Sequence, residues 1–187
     1  MSENLRRFTR AVYNMDAVVQ RVPADAWDNA SPCEGWTARD VVAHQVGVLD
    51  GAANIAAGTG NVALPQMPED RSDPVGLWNQ SRDNVLTALD HKGALQLEGK
   101  YWFGPMSVDD FISVVQWDPL AHAWDLAVAA GIQHVPDQQL AEQSLTVITP
   151  MADMLRKWQV IGAAVEVPDD ADPMSRLLGL IGRDPKR

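Results

Sequence analysis

Hydrophobic residues recur at helical spacing through four long segments of the chain. The first covers residues 2–22, where apolar side chains follow one another at intervals of three and four up to Pro23, a pattern typical of an amphipathic helix. The others run from Thr37 to Gly58, from Asp73 to Gly93 and from Ser107 to Gly131; each begins with a residue that can cap a helix and ends at glycine. Four such segments joined by loops predict an all-α bundle.

The segments between and after these helices have weaker patterns. Residues 59–73 predict a loop and residues 94–103 an extended crossover. Beyond Gly131 we predict a helix from Asp137 to Pro150, a short helical turn over 151–158, a strand or extended tail over 160–167, and a last helix from Asp172 to Ile181. The prediction is therefore one domain over residues 1–187, a four-helix bundle with short additional C-terminal helices.

The helix predicted from Ser107 to Gly131 carries two polar groups on its apolar face. Asp118 and His122 share one stripe with hydrophobic side chains, at a spacing of four residues. A buried carboxylate must be paired, hydrogen-bonded or metal-bound. Pro119 lies between the two, and because it removes a backbone donor inside the helix we expect a kink there.

A third polar group points inward from the second helix. His44 shares a stripe with Val41 and Val48, and Gly47 leaves room for a close approach. Two imidazoles and a carboxylate suit Zn²⁺ or Ni²⁺, and with open positions also Fe²⁺. Three protein ligands leave a vacant position, as in catalytic sites. In the alternative interpretation, His44, Asp118 and His122 are core polar residues that hydrogen-bond one another or the backbone.

Composition and charge exclude several classes of protein. A formal net charge of −10 argues against a nucleic-acid partner, which requires a clustered cationic surface. A single cysteine excludes an intrachain disulfide and fits a reducing compartment. The charged N-terminus is unlike a signal peptide, and no apolar segment is long enough to span a bilayer. We therefore expect a cytoplasmic protein with no membrane partner.

Other residues are interpreted as structural. Cys33 has no histidine near it in the sequence and is taken as a small buried residue rather than a nucleophile. Asp125 is taken as a surface residue or a support for a ligand, not as a general acid or base. Trp117 and Trp124 flank the predicted ligand pair, and core packing is favoured over a role as pocket walls.

Three motifs carry a resemblance to a known family. SPCEGWTARDVVAHQVG and WDPLAHAWDLAVAAG resemble the signature helices of the DinB-like family, in particular the branch similar to the metal-binding domain of mycothiol-dependent maleylpyruvate isomerase. VIGAAVEVPDDADPMSRLLGLIGRDP resembles the ending of its short, single-domain members. The resemblance implies a DinB-like bundle with metal ligands at His44, Asp118 and His122, where the family's isomerase has glutamate at the position of Asp118.

The resemblance also implies a reaction. A divalent metal, Zn²⁺ or Ni²⁺, would activate a mycothiol-type thiol as co-substrate, and the thiol would attack a small electrophile in an S-transferase or isomerase reaction. The isomerase carries an additional C-terminal domain without a counterpart in the 187 residues, so we expect a related thiol-linked reaction rather than maleylpyruvate isomerisation itself. Two alternatives stay open: a non-catalytic protein that binds or sequesters a metal or small molecule, and a structural bundle without metal. A homodimer is compatible with each of them.

Overall fold

The computed structural model describes residues 1–63, 65–102 and 104–186. Four long helical segments and a shorter C-terminal group make up most of it. In these residues the α-helices are α1 (Glu3–Val19), α2 (Ala38–Ala56), α3 (Pro74–Asp90), α4 (Val108–Val115), α5 (Trp117–Ala130), α6 (Gln138–Ile148), α7 (Ala152–Lys157) and α8 (Pro173–Leu180). The predicted all-α architecture with short C-terminal helices is confirmed.

The helix starts follow the predicted caps. Thr37 precedes α2, and its backbone N–H and hydroxyl both donate to the carboxylate of Asp40, at 2.9 and 2.7 Å. Asp73 accepts from the N–H of Gly76 at 2.9 Å at the start of α3, where Pro74 takes the first helical position. Local side-chain chemistry therefore sets where α2 and α3 begin.

The prediction of a kink at Pro119 is wrong, because the helix is broken earlier in the chain. The helix expected over 107–131 is interrupted at Gln116, between α4 and α5, and Pro119 is the third residue of α5. Proline has no N–H to donate to the carbonyl of Val115, so the regular helix ends before that bond is needed. In the first turn of α5 the missing donor costs little, because those N–H groups have no helical partner in any case.

A small sheet is formed by the segments that follow α2 and precede α4. Its three strands are β1 (Val62–Ala63), β2 (Glu98–Tyr101) and β3 (Gly104–Ser107), with β1 parallel and β3 antiparallel to β2. The predicted loop over 59–73 thus contains a short strand, and the predicted crossover over 94–103 has a 3₁₀ turn at Ala94–Gln96 and a strand at Glu98–Tyr101. Leu64, Phe103 and Arg187 lie outside the described residues.

Two groups of buried side chains hold these elements together. The larger is formed by α1 to α5 and includes Phe8, Leu49 and Trp78, each fully buried. The smaller joins α5 to the C-terminal helices through Leu120, Leu140 and other buried side chains. None of the helices in the described ranges combines the length and the hydropathy needed to cross a bilayer.

The C-terminal segment folds back along α8 and brings its end toward the bundle. Residues 162–168 have no regular secondary structure, and the N–H groups of Gly162 and Val165 donate to the carbonyls of Ile181 and Gly179 at 3.1 and 2.9 Å. Gly182 has φ +93°, and a Cβ added there would lie 2.8 Å from the Cα of Gly162. This tight, left-handed turn needs glycine, and it places the next residue, Arg183, beside α5.

Candidate metal centre

Helices α2 and α5 bring the three predicted ligand side chains together. Nε2 of His44 lies 3.3 Å from Oδ2 of Asp118, and Nε2 of His122 lies 3.3 Å from Oδ1 of the same carboxylate. One donor atom from each residue lies within 4.8 Å of the other two. The four-residue spacing of Asp118 and His122 puts both on one face of α5.

Asp118 and His122 are buried and electrostatically coupled. Burial alone would raise the pKa of Asp118, but the charge of His122 and hydrogen bonds with His122 and His44 outweigh it, and the pKa lies well below the ordinary range. Burial would likewise lower the pKa of His122, but Asp118 holds that pKa well above its usual value. The site thus favours positive charge next to a carboxylate.

Other side chains fix the orientation of these groups. The amide of Gln45 donates to Oδ2 of Asp118 at 2.6 Å. On the opposite side of the His122 ring, Nδ1 lies 2.9 Å from Oδ2 of Asp125. The ring of Trp36 packs near both imidazoles, with centroids 5.1 Å from His44 and 6.0 Å from His122. We call His44, Asp118 and His122 the ligand group. Because a carboxylate engages Nδ1 of His122, Nε2 is the nitrogen that faces the other two members of this group.

Asp125 is fully buried and paired with Arg183. The guanidinium donates from Nη2 to Oδ2 of Asp125 at 2.9 Å and from Nε to Oδ1 at 3.3 Å. Burial would raise the pKa of Asp125, but the hydrogen bond with His122 and the charges of His122 and Arg183 lower it to about 2. Asp125 is therefore an anion that links the imidazole of α5 to the C-terminal segment.

The sulfur of Cys33 contacts both Asp125 and Arg183. Its thiol donates to Oδ2 of Asp125 at 3.2 Å and accepts from Nη2 of Arg183 at 3.2 Å, and it lies 3.9 Å from Nδ1 of His122. Cys33 is half-buried in the loop before α2. We call Cys33, Asp125 and Arg183, with Nδ1 of His122, the thiol cluster.

The three predicted ligands and, from the thiol cluster, Cys33 and Arg183 line one cavity of about 1080 Å³. Its polar wall also includes Glu34, Arg156 and Gln159. Its apolar wall includes Trp102, Trp117, Ile148, Leu155 and Ile161. A concave space with apolar walls and a few convergent polar groups is typical of a small-molecule site.

The sequence pattern predicted part of this arrangement. It selected the three side chains that meet between α2 and α5, and it offered support of a ligand as one reading of Asp125. It treated Cys33 as a small buried residue and did not select Arg183, whereas both line the cavity. Trp117 packs in the core, as predicted, and also lines the cavity. The one available signal was the proline- and glycine-rich segment around Cys33, which is typical of a loop at a site's edge.

The donor set fits a divalent cation. Two ligand atoms bound to a tetrahedral zinc ion at about 2.0–2.1 Å lie about 3.3 Å apart. Each imidazole nitrogen lies at this distance from one oxygen of Asp118, His44 from Oδ2 and His122 from Oδ1. Imidazole nitrogen and carboxylate oxygen are ordinary ligands for zinc and nickel. These three side chains would hold such an ion at the wall of the cavity.

Comparison with known proteins gives relatives of this chain. Over 130 residues the chain is 30% identical to Uncharacterized protein Rv0738 of Mycobacterium tuberculosis strain H37Rv. The aligned region covers 69% of this chain and 68% of the relative. Uncharacterized protein MT0763 of strain CDC 1551 / Oshkosh matches to the same extent. The crystal structure of the mycothiol-dependent maleylpyruvate isomerase superposes with a TM-score of 0.63 over 90% of this chain and 75% of that one. At 19% identity, this likeness shows a shared fold.

Residues 8–127 match the mycothiol maleylpyruvate isomerase N-terminal domain family. The match begins in α1 and ends in α5, so it includes both helices of the candidate metal centre. The chain belongs to this family, and the predicted resemblance is confirmed.

Proposed function

We propose, on the premise of this family membership, that the protein binds a divalent metal through His44, Asp118 and His122 and uses it to activate a mycothiol-type thiol. The thiol would then attack a small electrophile in the cavity, in an S-transfer or isomerisation reaction. The observation that carries the proposal is the convergence of three donor atoms within 4.8 Å on the wall of a cavity of about 1080 Å³.

The charges around the ligand group favour an anionic sulfur. With neutral imidazoles, a bound divalent cation and the guanidinium of Arg183 would exceed the two carboxylates, Asp118 and Asp125, by one positive charge. A thiolate cancels this excess, whereas a neutral thiol leaves it in a poorly solvated place. A bound divalent cation would supply direct stabilisation of the deprotonated thiol, which is the nucleophilic form.

The protein's own residues orient the site. The carboxylate of Asp125 holds the His122 ring by Nδ1, and the Gln45 amide holds Asp118. Such supporting hydrogen bonds reduce the freedom of the ligands and raise their basicity. The cavity's apolar wall, which includes Trp117 and Leu155, excludes water from one side and suits the hydrocarbon part of an electrophile.

Zinc binding tests the metal part of the proposal. Untagged protein stripped with a chelator should bind about one equivalent of Zn²⁺ by calorimetry, and His122→Ala should lose this binding. His91→Ala is the matched control, because His91 is exposed at the end of α3 and takes no part in the site. Binding of less than about a tenth of an equivalent by the unaltered protein would refute the metal site.

Turnover separates catalysis from sequestration. Metal-loaded protein should consume members of a panel of small electrophiles only when mycothiol is present, and His122→Ala should not. Stoichiometric zinc binding without thiol-dependent consumption would refute the catalytic proposal and leave a metal-binding protein.

A further inference from the structure

The thiol cluster contains a nucleophilic atom that the proposed function does not use. The metal proposal engages only Nε2 of His122, while Cys33 contacts the side of this residue that carries Nδ1. The Cys33 sulfur has a cationic neighbour, Arg183, and a carboxylate acceptor, Asp125, both at 3.2 Å. This polar environment differs from that of a cysteine that merely fills core space.

The Cys33 sulfur is positioned to meet a molecule in the cavity. Cys33 lines the same space as His44 and Asp118. Its backbone N–H donates to the hydroxyl of Ser31 at 3.2 Å, and this bond fixes the loop that presents it. A thiol compound bound with its sulfur at the ligand group is therefore also close to Cys33.

We infer that Cys33 is a thiolation site of this cavity, which reacts with a low-molecular-weight disulfide to form a mixed disulfide. The inference rests on the proposed function in one respect: a cavity that binds a small thiol also admits the disulfide formed from that thiol. The thiol cluster supplies the reacting sulfur and a cation beside it.

The reaction is an exchange with no net oxidation. The sulfur of Cys33 attacks one sulfur of the small disulfide, the bond between the two small-molecule sulfurs breaks, and a bond from Cys33 to the attacked sulfur forms. The displaced half leaves as a thiol and carries away the proton that Cys33 gives up. Arg183, 3.2 Å from the sulfur, stabilises the negative charge of the sulfur once its proton has left, and it also pairs with the Asp125 carboxylate that would oppose this charge.

Modification of Cys33 also affects the candidate metal centre. A disulfide sulfur has no proton to donate, so the bond from Cys33 to Asp125 is lost, and the attached group occupies the space in front of His122. Zinc binding and turnover should therefore fall while the mixed disulfide is present and return after reduction. Cys33 would thus make the site sensitive to the oxidised form of its own co-substrate.

The rate of exchange tests the inference on the unaltered chain. Metal-free protein is incubated with mycothiol disulfide, and the gain of one thiol moiety is followed by intact-protein mass spectrometry. Because Cys33 is the only cysteine, the same chain in urea gives the reference rate for an unstructured thiol. We expect the folded protein to react at least about tenfold faster; a rate equal to or below that of the unfolded chain would overturn the assignment.

Variants of the cationic neighbour test its role. Arg183→Met should slow the reaction of the folded protein by about tenfold, and Arg183→Lys, which keeps the charge, should retain more of the rate. Equal rates in all three proteins would overturn the role given to Arg183. Circular dichroism spectra of the variants confirm that each is folded before rates are compared.

Zinc titration of the modified protein links the two sites. The mixed disulfide should weaken zinc binding at least about tenfold, and dithiothreitol should restore it. Should the unmodified chain bind no zinc, the proposed function fails, while the rate comparison still decides whether Cys33 is a thiolation site. Unchanged zinc affinity after modification would overturn the coupling between the sites.

Discussion

Replacement of Asp125 by asparagine tests the charge network behind His122. Asp125 is fully buried, and its Arg183 partner has a side chain that is 14% exposed. Asp125→Asn keeps the shape and an oxygen that can accept from Nδ1 of His122, but it leaves the Arg183 charge without its partner. Removal of one member of a buried ion pair costs about 3–5 kcal/mol. Since the guanidinium keeps some contact with water, we expect about 3 kcal/mol.

Urea unfolding of metal-free protein, followed by circular dichroism, measures this loss. Arg183→Met and the double variant complete a thermodynamic cycle, in which the double variant should lose about 1–3 kcal/mol less than the sum of the single losses. Asp153→Asn is the control, because Asp153 is fully exposed and pairs with Arg156 at the surface; it should change stability by less than about 0.5 kcal/mol. A coupling energy near zero would contradict the network.

Three further predictions concern the helices and the metal. Gly47→Ala should lower stability by about 1–3 kcal/mol, because the added Cβ would lie 2.5 Å from the carbonyl oxygen of Gln66; Gly60→Ala, whose Cβ meets nothing closer than 3.5 Å, is the control in thermal unfolding. Pro119→Ala should change stability by less than about 1 kcal/mol, because Pro119 lies in the first turn of α5, and a urea-unfolding loss above about 2 kcal/mol would contradict this placement. Zinc at about a hundredfold excess over its dissociation constant should stabilise the protein by about 2.7 kcal/mol, which raises Tm by about 5–10 °C; an unchanged Tm in zinc would refute the site.

The sequence predicted the helices and the inward direction of their polar residues for one reason. The period of 3.6 residues shows which face of a helix is buried, and Asp118 and His122 both lie on that face. The same pattern put His44 on the inner face of α2. It did not locate the break at Gln116, because proline spoils a helical bond to a carbonyl four residues earlier, and the chain can end the helix anywhere near that point.

The thiol cluster could not be predicted in the same way. Cys33 and Asp125 are 92 positions apart and Asp125 and Arg183 are 58 positions apart, so no local period relates them. Their meeting depends on the loop before α2 and on the turn at Gly182, where contacts made only in the folded protein decide the path of the chain. Sequence patterns describe faces of helices, whereas a site assembled from two loops and a helix depends on tertiary packing.

His122 contacts both the other predicted metal ligands and the thiol cluster, because its ring has two nitrogens with different partners. Asp118 lies four positions before it and Asp125 three positions after it, so α5 presents one carboxylate to Nε2 and the other to Nδ1. A change that rotates this ring to suit one partner necessarily moves it away from the other. If the two proposals hold, we therefore expect zinc affinity and the reactivity of Cys33 to be linked through this single side chain. A variant that alters one without the other would show that the His122 ring does not transmit the effect.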